Sequence, residues 1–137
     1  ELTESVLMGE LVKCLDILTR IRLKGIQLSI DDFGTGYSSL SLLHRIPFTE
    51  LKIDKSFVGA MDEDQEARAI VKTCIILAKE LKMRVIAEGI ESKVQLDDLR
   101  DLGCGHGQGY YFSRPVPLLE LNALLKGSFP FPSNTGG

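Results

Sequence analysis

Four short strand-type runs, separated by helix-type segments, constrain this chain more than any other feature. Ile26 to Ile30, Leu51 to Asp54, Arg84 to Ala87 and Tyr110 to Phe112 read as strands. A helix over Ser5 to Lys24 precedes them, with Leu7, Leu11, Leu15, Leu18 and Leu23 at near-helical spacing and Gly25 placed to end it. Ser38 to Ile46 reads as a short helix stopped by Pro47. Asp62 to Met83 reads as the longest helix, its acidic first turn suiting the helix dipole. Ser92 to Leu102 follows, with Ser92 as a candidate cap, and Pro117 to Lys126 is the last helix. Strands alternating with helices give a parallel sheet with right-handed crossovers, so the expected class is α/β with parallel βα repeats. The stretch Gly127 to Gly137 is rich in Ser, Pro and Gly and is expected to fray.

Ligands of such sheets bind at the carboxyl ends of the strands, and that rule sorts the polar residues. Asp31 and Asp32 close the first strand, Lys52 and Asp54 lie in the second, Glu88 follows the third with Glu91 beyond Gly89, and Gln108 opens the fourth. Neighbours along a strand point to opposite faces, so two adjacent carboxylates share one environment only where the chain turns into a loop. Such a pair repels unless a cation or hydrogen bonds compensate, and a divalent metal with oxygen ligands does so economically.

Each residue also has a plainer reading. Asp31 and Asp32 suit a turn ahead of Gly34-Thr35-Gly36. Lys52 would be a solvated residue, except that a helix-covered sheet has no solvated face and the ammonium then needs an acidic partner. Asp54 either faces the same way or bounds a loop, and Glu88 is a strand-end partner for Lys52. Glu91 and Ser92 begin a helix, and His106 is a loop residue rather than a ligand. Glu1 and Glu4 resemble the charged first turn of a helix. The glycines around Phe33 to Tyr37 suit a mobile lid.

The chain has 137 residues, enough for one domain with a core. A net charge of −3, with no basic run, gives no footprint for a nucleic-acid polymer. Apolar runs such as Cys74-Ile75-Ile76-Leu77-Ala78 are too short to span a bilayer, so no membrane contact is expected of this segment. Cys14, Cys74 and Cys104 show no paired spacing; the first two read as small core residues, and a reducing cytoplasm is the simplest compartment. Upstream segments remain free to anchor the parent protein to a membrane.

Five stretches occur in one order: Glu1-Leu2-Thr3-Glu4-Ser5, Asp31-Asp32-Phe33-Gly34-Thr35-Gly36-Tyr37-Ser38-Ser39-Leu40, Leu51-Lys52-Ile53-Asp54-Lys55-Ser56-Phe57, Ala87-Glu88-Gly89-Ile90-Glu91 and Gln108-Gly109-Tyr110-Tyr111-Phe112-Ser113-Arg114-Pro115. In that order they resemble EAL domains, the bacterial cyclic-di-GMP phosphodiesterases, from Glu1 to about Pro117. The resemblance implies metal-ligand roles for Glu1 and Asp31. It implies that Asp32 serves a second metal or the attacking water, and that Lys52 orients that water. Glu88 matches a glutamate of the metal site or a general base. Gln108 matches a glutamine near substrate, with Asp54 and Tyr110 as further substrate contacts. Glu4 matches a glutamate that anchors the loop Phe33 to Ser39, and Glu91 takes a similar anchoring role. The implied cofactor is Mg²⁺ or Mn²⁺ at a two-metal site, the partner is cyclic-di-GMP, and the product is the linear dinucleotide.

The family's domain resembles a TIM barrel, which takes about 250 residues. Residues 1–126 therefore match its carboxyl-terminal half, and the Glu-Ala-Leu tripeptide is absent from this stretch. Two expectations follow. The segment alone hydrolyses little or nothing, because part of the metal shell lies outside it. Its open sheet edges favour self-association. The alternative reading is a catalytically degenerate module that binds the dinucleotide or a partner protein.

Overall fold

The structure is a computed structural model that describes residues 11–35, 43 and 45–126. Glu1, Glu4, the later part of the loop after Phe33 and the segment from Gly127 lie outside the described residues, as does most of the helix expected over Ser38 to Ile46. The elements are α1 (Leu11–Leu23), β1 (Ser29–Phe33), β2 (Glu50–Ile53), α2 (Lys55–Ala60), α3 (Gln65–Glu80), β3 (Arg84–Ala87), α4 (Lys93–Asp101), β4 (His106–Gly107) and α5 (Leu118–Lys126). The strands form one parallel sheet in the order β1-β2-β3-β4. Among the described residues no helix is long and apolar enough to cross a membrane.

The sheet is covered, which makes its strands apolar on both faces. Leu51 and Ile53 of β2 and Ala87 of β3 are fully buried, and Ile30 of β1 nearly so. The α3 helix packs on β2 and β3. It does so through Ala67, Val71, Cys74, Ile75 and Ala78, a stripe at helical spacing. Its ends are set chemically. Asp64 accepts a hydrogen bond from the Glu66 amide (2.8 Å). Lys82 turns left-handed at φ +55°, and the Met83 amide returns to the Ala78 carbonyl (2.8 Å). The α4 helix starts at a reciprocal cap, with Ser92 Oγ accepting from the Gln95 amide (3.1 Å) and Gln95 Oε1 from the Ser92 amide (3.2 Å).

Four expectations about element placement change. The long helix expected over Asp62 to Met83 is shorter, and a separate helix, α2, precedes it. The long helix starts later because Asp64 caps it, and the separate helix forms because Asp54 leaves the strand and caps α2 by accepting from the Ser56 amide (2.9 Å). The first strand runs to Phe33, so Asp31 and Asp32 lie inside it. The fourth strand is His106–Gly107 rather than Tyr110 to Phe112, so Gln108 follows that strand instead of opening it, and His106 is a strand residue. The aromatic run misleads because its residues serve packing: Tyr111 and Phe112 meet edge to face (5.7 Å, 76°) against the core. Their backbone turns, with the Phe112 amide bonding to the Gly109 carbonyl (3.1 Å).

Candidate metal and phosphodiester site

Strand register brings the rim together. Ile30 pairs with Leu51, Lys52 with Ile86, and Ile86 with His106. Partners in a ladder share a face, and alternate residues return to it. Asp31, Lys52, Glu88 and Gln108 thereby fall on one face at the carboxyl ends. Two backbone bonds carry the ladder past the last strand residues, Glu88 to the Ile53 carbonyl (3.1 Å) and Gln108 to the Ala87 carbonyl (2.9 Å).

Asp32 belongs to the opposite face by alternation, and a bulge overrides this. From Ile30 to Phe33 the β1 strand advances three residues while β2 advances two, from Leu51 to Ile53. The extra residue is absorbed where Asp32 adopts φ +52°, a left-handed conformation that Asp tolerates better than most side chains. The turn is fastened by Thr35, whose hydroxyl donates to the Asp32 carbonyl (2.9 Å).

One oxygen from each of Asp31, Asp32 and Glu88 lies within 4.8 Å of the others. Lys52 sits between two of them, its Nζ 3.2 Å from Asp31 Oδ1 and 2.6 Å from Glu88 Oε1. The lysine is 7 % exposed, so its charge depends on these partners rather than on water. Gln108 Nε2 donates to the same Glu88 Oε1 (2.7 Å). Asp32 has its carboxyl pKa raised by partial desolvation, then by the negative charges of Asp31 and Asp54 and a hydrogen bond shared with Asp54; Lys52 opposes this. Burial also works against the Asp54 charge, but hydrogen bonds from the Ser56 hydroxyl and amide outweigh it and hold Asp54 below its usual value.

Three carboxylates this close, with hard oxygen donors, fit a divalent cation of the Mg²⁺ or Mn²⁺ type. Beside the cluster opens a cavity of about 530 Å³, lined in part by Glu88, Glu91, Gln108 and Tyr110. Asp54 stands apart as a helix cap that reaches the cluster through Asp32. Glu91 is placed by its amide, which donates to Gln95 Oε1 (2.9 Å). Two cations on the cavity wall, Lys55 and Arg114, were not singled out from sequence. Both stand inside the stretches quoted above, and their only local signal was position, Lys55 directly after Asp54 and Arg114 two residues after the aromatic run Tyr110 to Phe112.

The EAL domain family model matches residues 1–115. The chain belongs to the EAL domain family. It is 44 % identical over 126 residues to the cyclic di-GMP phosphodiesterase NbdA of Pseudomonas aeruginosa, covering 92 % of this chain and 16 % of that protein. The fold matches the Pseudomonas aeruginosa MucR phosphodiesterase in its c-di-GMP complex, with TM-score 0.82 and 42 % identity over 88 % of this chain and 49 % of the other. It also matches BlrP1 of Klebsiella pneumoniae in manganese and calcium complexes with cyclic di-GMP, with TM-score 0.76 and 34 % identity over 82 % of this chain and 29 % of that one. The chain thus spans about a sixth of NbdA and about half of the MucR chain. EAL domains have the TIM-barrel fold, and the four parallel strands here correspond to an arc of such a barrel.

Proposed function

We propose that this chain carries the acidic rim of a metal-dependent phosphodiesterase that opens cyclic di-GMP to the linear dinucleotide. The observation that carries this reading is the convergence of Asp31, Asp32 and Glu88 within 4.8 Å around a buried Lys52. A module that only sensed the dinucleotide would not need this costly set of charges. The names of the relatives and the manganese and calcium complexes of BlrP1 support the same substrate and a divalent cofactor.

Asp31, Asp32 and Glu88 would hold the cation, with Glu1 as a further ligand outside the described residues. Bound there, a divalent ion supplies charge neutralisation for the phosphodiester and a more acidic water. Lys52 fixes the orientation of Asp31 and Glu88 and offsets their mutual repulsion. Gln108 clamps Glu88 Oε1 and so fixes the orientation of the Glu88 carboxylate. Asp54 adds negative charge beside the bulged Asp32, while Tyr110 and Glu91 border the space for the dinucleotide. Glu4, outside the described residues, has the role of anchoring the loop from Phe33 to Ser39 in this reading.

Residues 1–126 then act as part of a barrel. The outer strands of the described sheet, β1 and β4, pair with further chain or with a second copy. Light scattering at micromolar concentration should give more than the monomer mass for the isolated chain, and a stable monomer refutes that pairing. The function itself is tested by chromatography of cyclic di-GMP incubated with the protein in Mn²⁺ or Mg²⁺. The complete EAL domain that contains this chain should form linear dinucleotide, stop with EDTA, and slow at least about a hundredfold in Asp31→Asn, while this chain alone should form little or none. Turnover unaffected by Asp31→Asn or by EDTA overturns the assignment.

A further inference from the structure

The cavity that shares Glu88 and Gln108 with the acidic rim has a second, cationic part. Arg114 stands on its wall with the guanidinium carbon 4.6 Å from the centroid of the Tyr110 ring. That distance is within cation–π range, so the ring holds the guanidinium in place without consuming its donors. Among the described residues no carboxylate forms an ion pair with Arg114. A ring-seated guanidinium is thus presented at a cavity whose remaining wall includes Pro115, Val116 and Leu124. Such a combination suits a flat heterocycle: the apolar wall covers a ring face while the guanidinium reads its edge.

Arginine has two parallel N–H donors, and of the purines guanine offers two adjacent acceptors, O6 and N7. Adenine puts an amino donor where O6 would be, so the same fork meets a like group. We infer that Arg114, seated on Tyr110, reads the guanine edge of the cyclic dinucleotide and is a specificity-determining residue. The inference rests on the reading of the site proposed above. Arg114 lies outside the acidic cluster, so it acts on which dinucleotide is held and not on bond cleavage. Tyr110 is its positioning residue.

Titration calorimetry with cyclic di-GMP and cyclic di-AMP, in calcium, tests the inference on the unaltered protein and on Arg114→Ala, Arg114→Lys and Tyr110→Ala. The unaltered protein should prefer cyclic di-GMP. Arg114→Ala should weaken cyclic di-GMP binding roughly ten- to hundredfold, the worth of one bidentate pair, and change cyclic di-AMP less than threefold. Arg114→Lys keeps the charge and loses the fork, so its discrimination should fall nearly as far. Tyr110→Ala should fall between. Unchanged discrimination in Arg114→Ala, or full discrimination in Arg114→Lys, overturns the inference and leaves the proposed function standing. Failure of the unaltered protein to bind either dinucleotide overturns both.

Discussion

Replacing Lys52 with methionine tests the electrostatic logic of the rim, because the stem volume is kept while the charge is lost. The ammonium lies 3.2 Å from Asp31 and 2.6 Å from Glu88. At an effective dielectric of about 20 these attractions are roughly 5 and 6 kcal/mol before any cost of burying the ammonium. Most of that gross energy is offset by the lost hydration of a lysine that is 7 % exposed. The variant is spared that burial cost but keeps the carboxylates. Oxygens within 4.8 Å then repel by about 3 kcal/mol on the same scale. The Asp31 and Glu88 side chains retain 17 % and 15 % of their exposure, so water relieves part of the repulsion. Lys52→Met should therefore cost about 2–3 kcal/mol in EDTA by urea denaturation. A divalent cation answers the same repulsion, so millimolar Mn²⁺ should stabilise the variant at least 1 kcal/mol more than the parent. Adding Glu88→Gln should recover about 1 kcal/mol in EDTA by removing one of the repelling charges. Equal stability of parent and Lys52→Met in EDTA, or equal gains from Mn²⁺, refutes the reasoning.

Three further outcomes follow from the packing. A Cβ on Gly109 would overlap the backbone of Ile90, so Gly109→Ala should cost about 2–3 kcal/mol in chemical denaturation and disturb Gln108 and Tyr110 on either side; a neutral effect contradicts that close approach. Ser92→Ala removes the α4 cap and should cost about 1 kcal/mol, a loss that Ser92→Asp largely avoids in the same measurement. Burial pushes the Cys74 thiol from 9.0 up to about 11. The folded state thus keeps the thiol neutral while the unfolded chain ionises it, so stability is intact below pH 9 and declines between pH 9 and 11. Cys74→Ala, followed by urea denaturation across that window, should lack this decline.

The alternation of strand and helix was legible because it is local: a period of two, a period of 3.6, a capping serine at Ser92 and an apolar stripe on α3 all reside in neighbouring residues. The boundaries that failed were those decided by long-range partners. Aromatic residues at Tyr110 to Phe112 have strand propensity, yet their ring packing and the turn at Gly109 claimed them, and the ladder fell to His106–Gly107. Asp54 read as a strand residue until its carboxylate was seen to cap α2.

The site divides the same way. By itself the sequence determined which chemical groups lie close to the strands and that five stretches resemble an EAL domain, since residue types and their order need no coordinates. Only the tertiary structure decided how two adjacent aspartates share one rim. The cause is a register shift against β2 that puts Asp32 at φ +52°, and register is a relation between residues about twenty positions apart. The same holds for Lys52 between Asp31 and Glu88 and for the cavity wall that Arg114 shares with Lys55. Those pairings join separate βα units, and their geometry exists only after the strands have aligned.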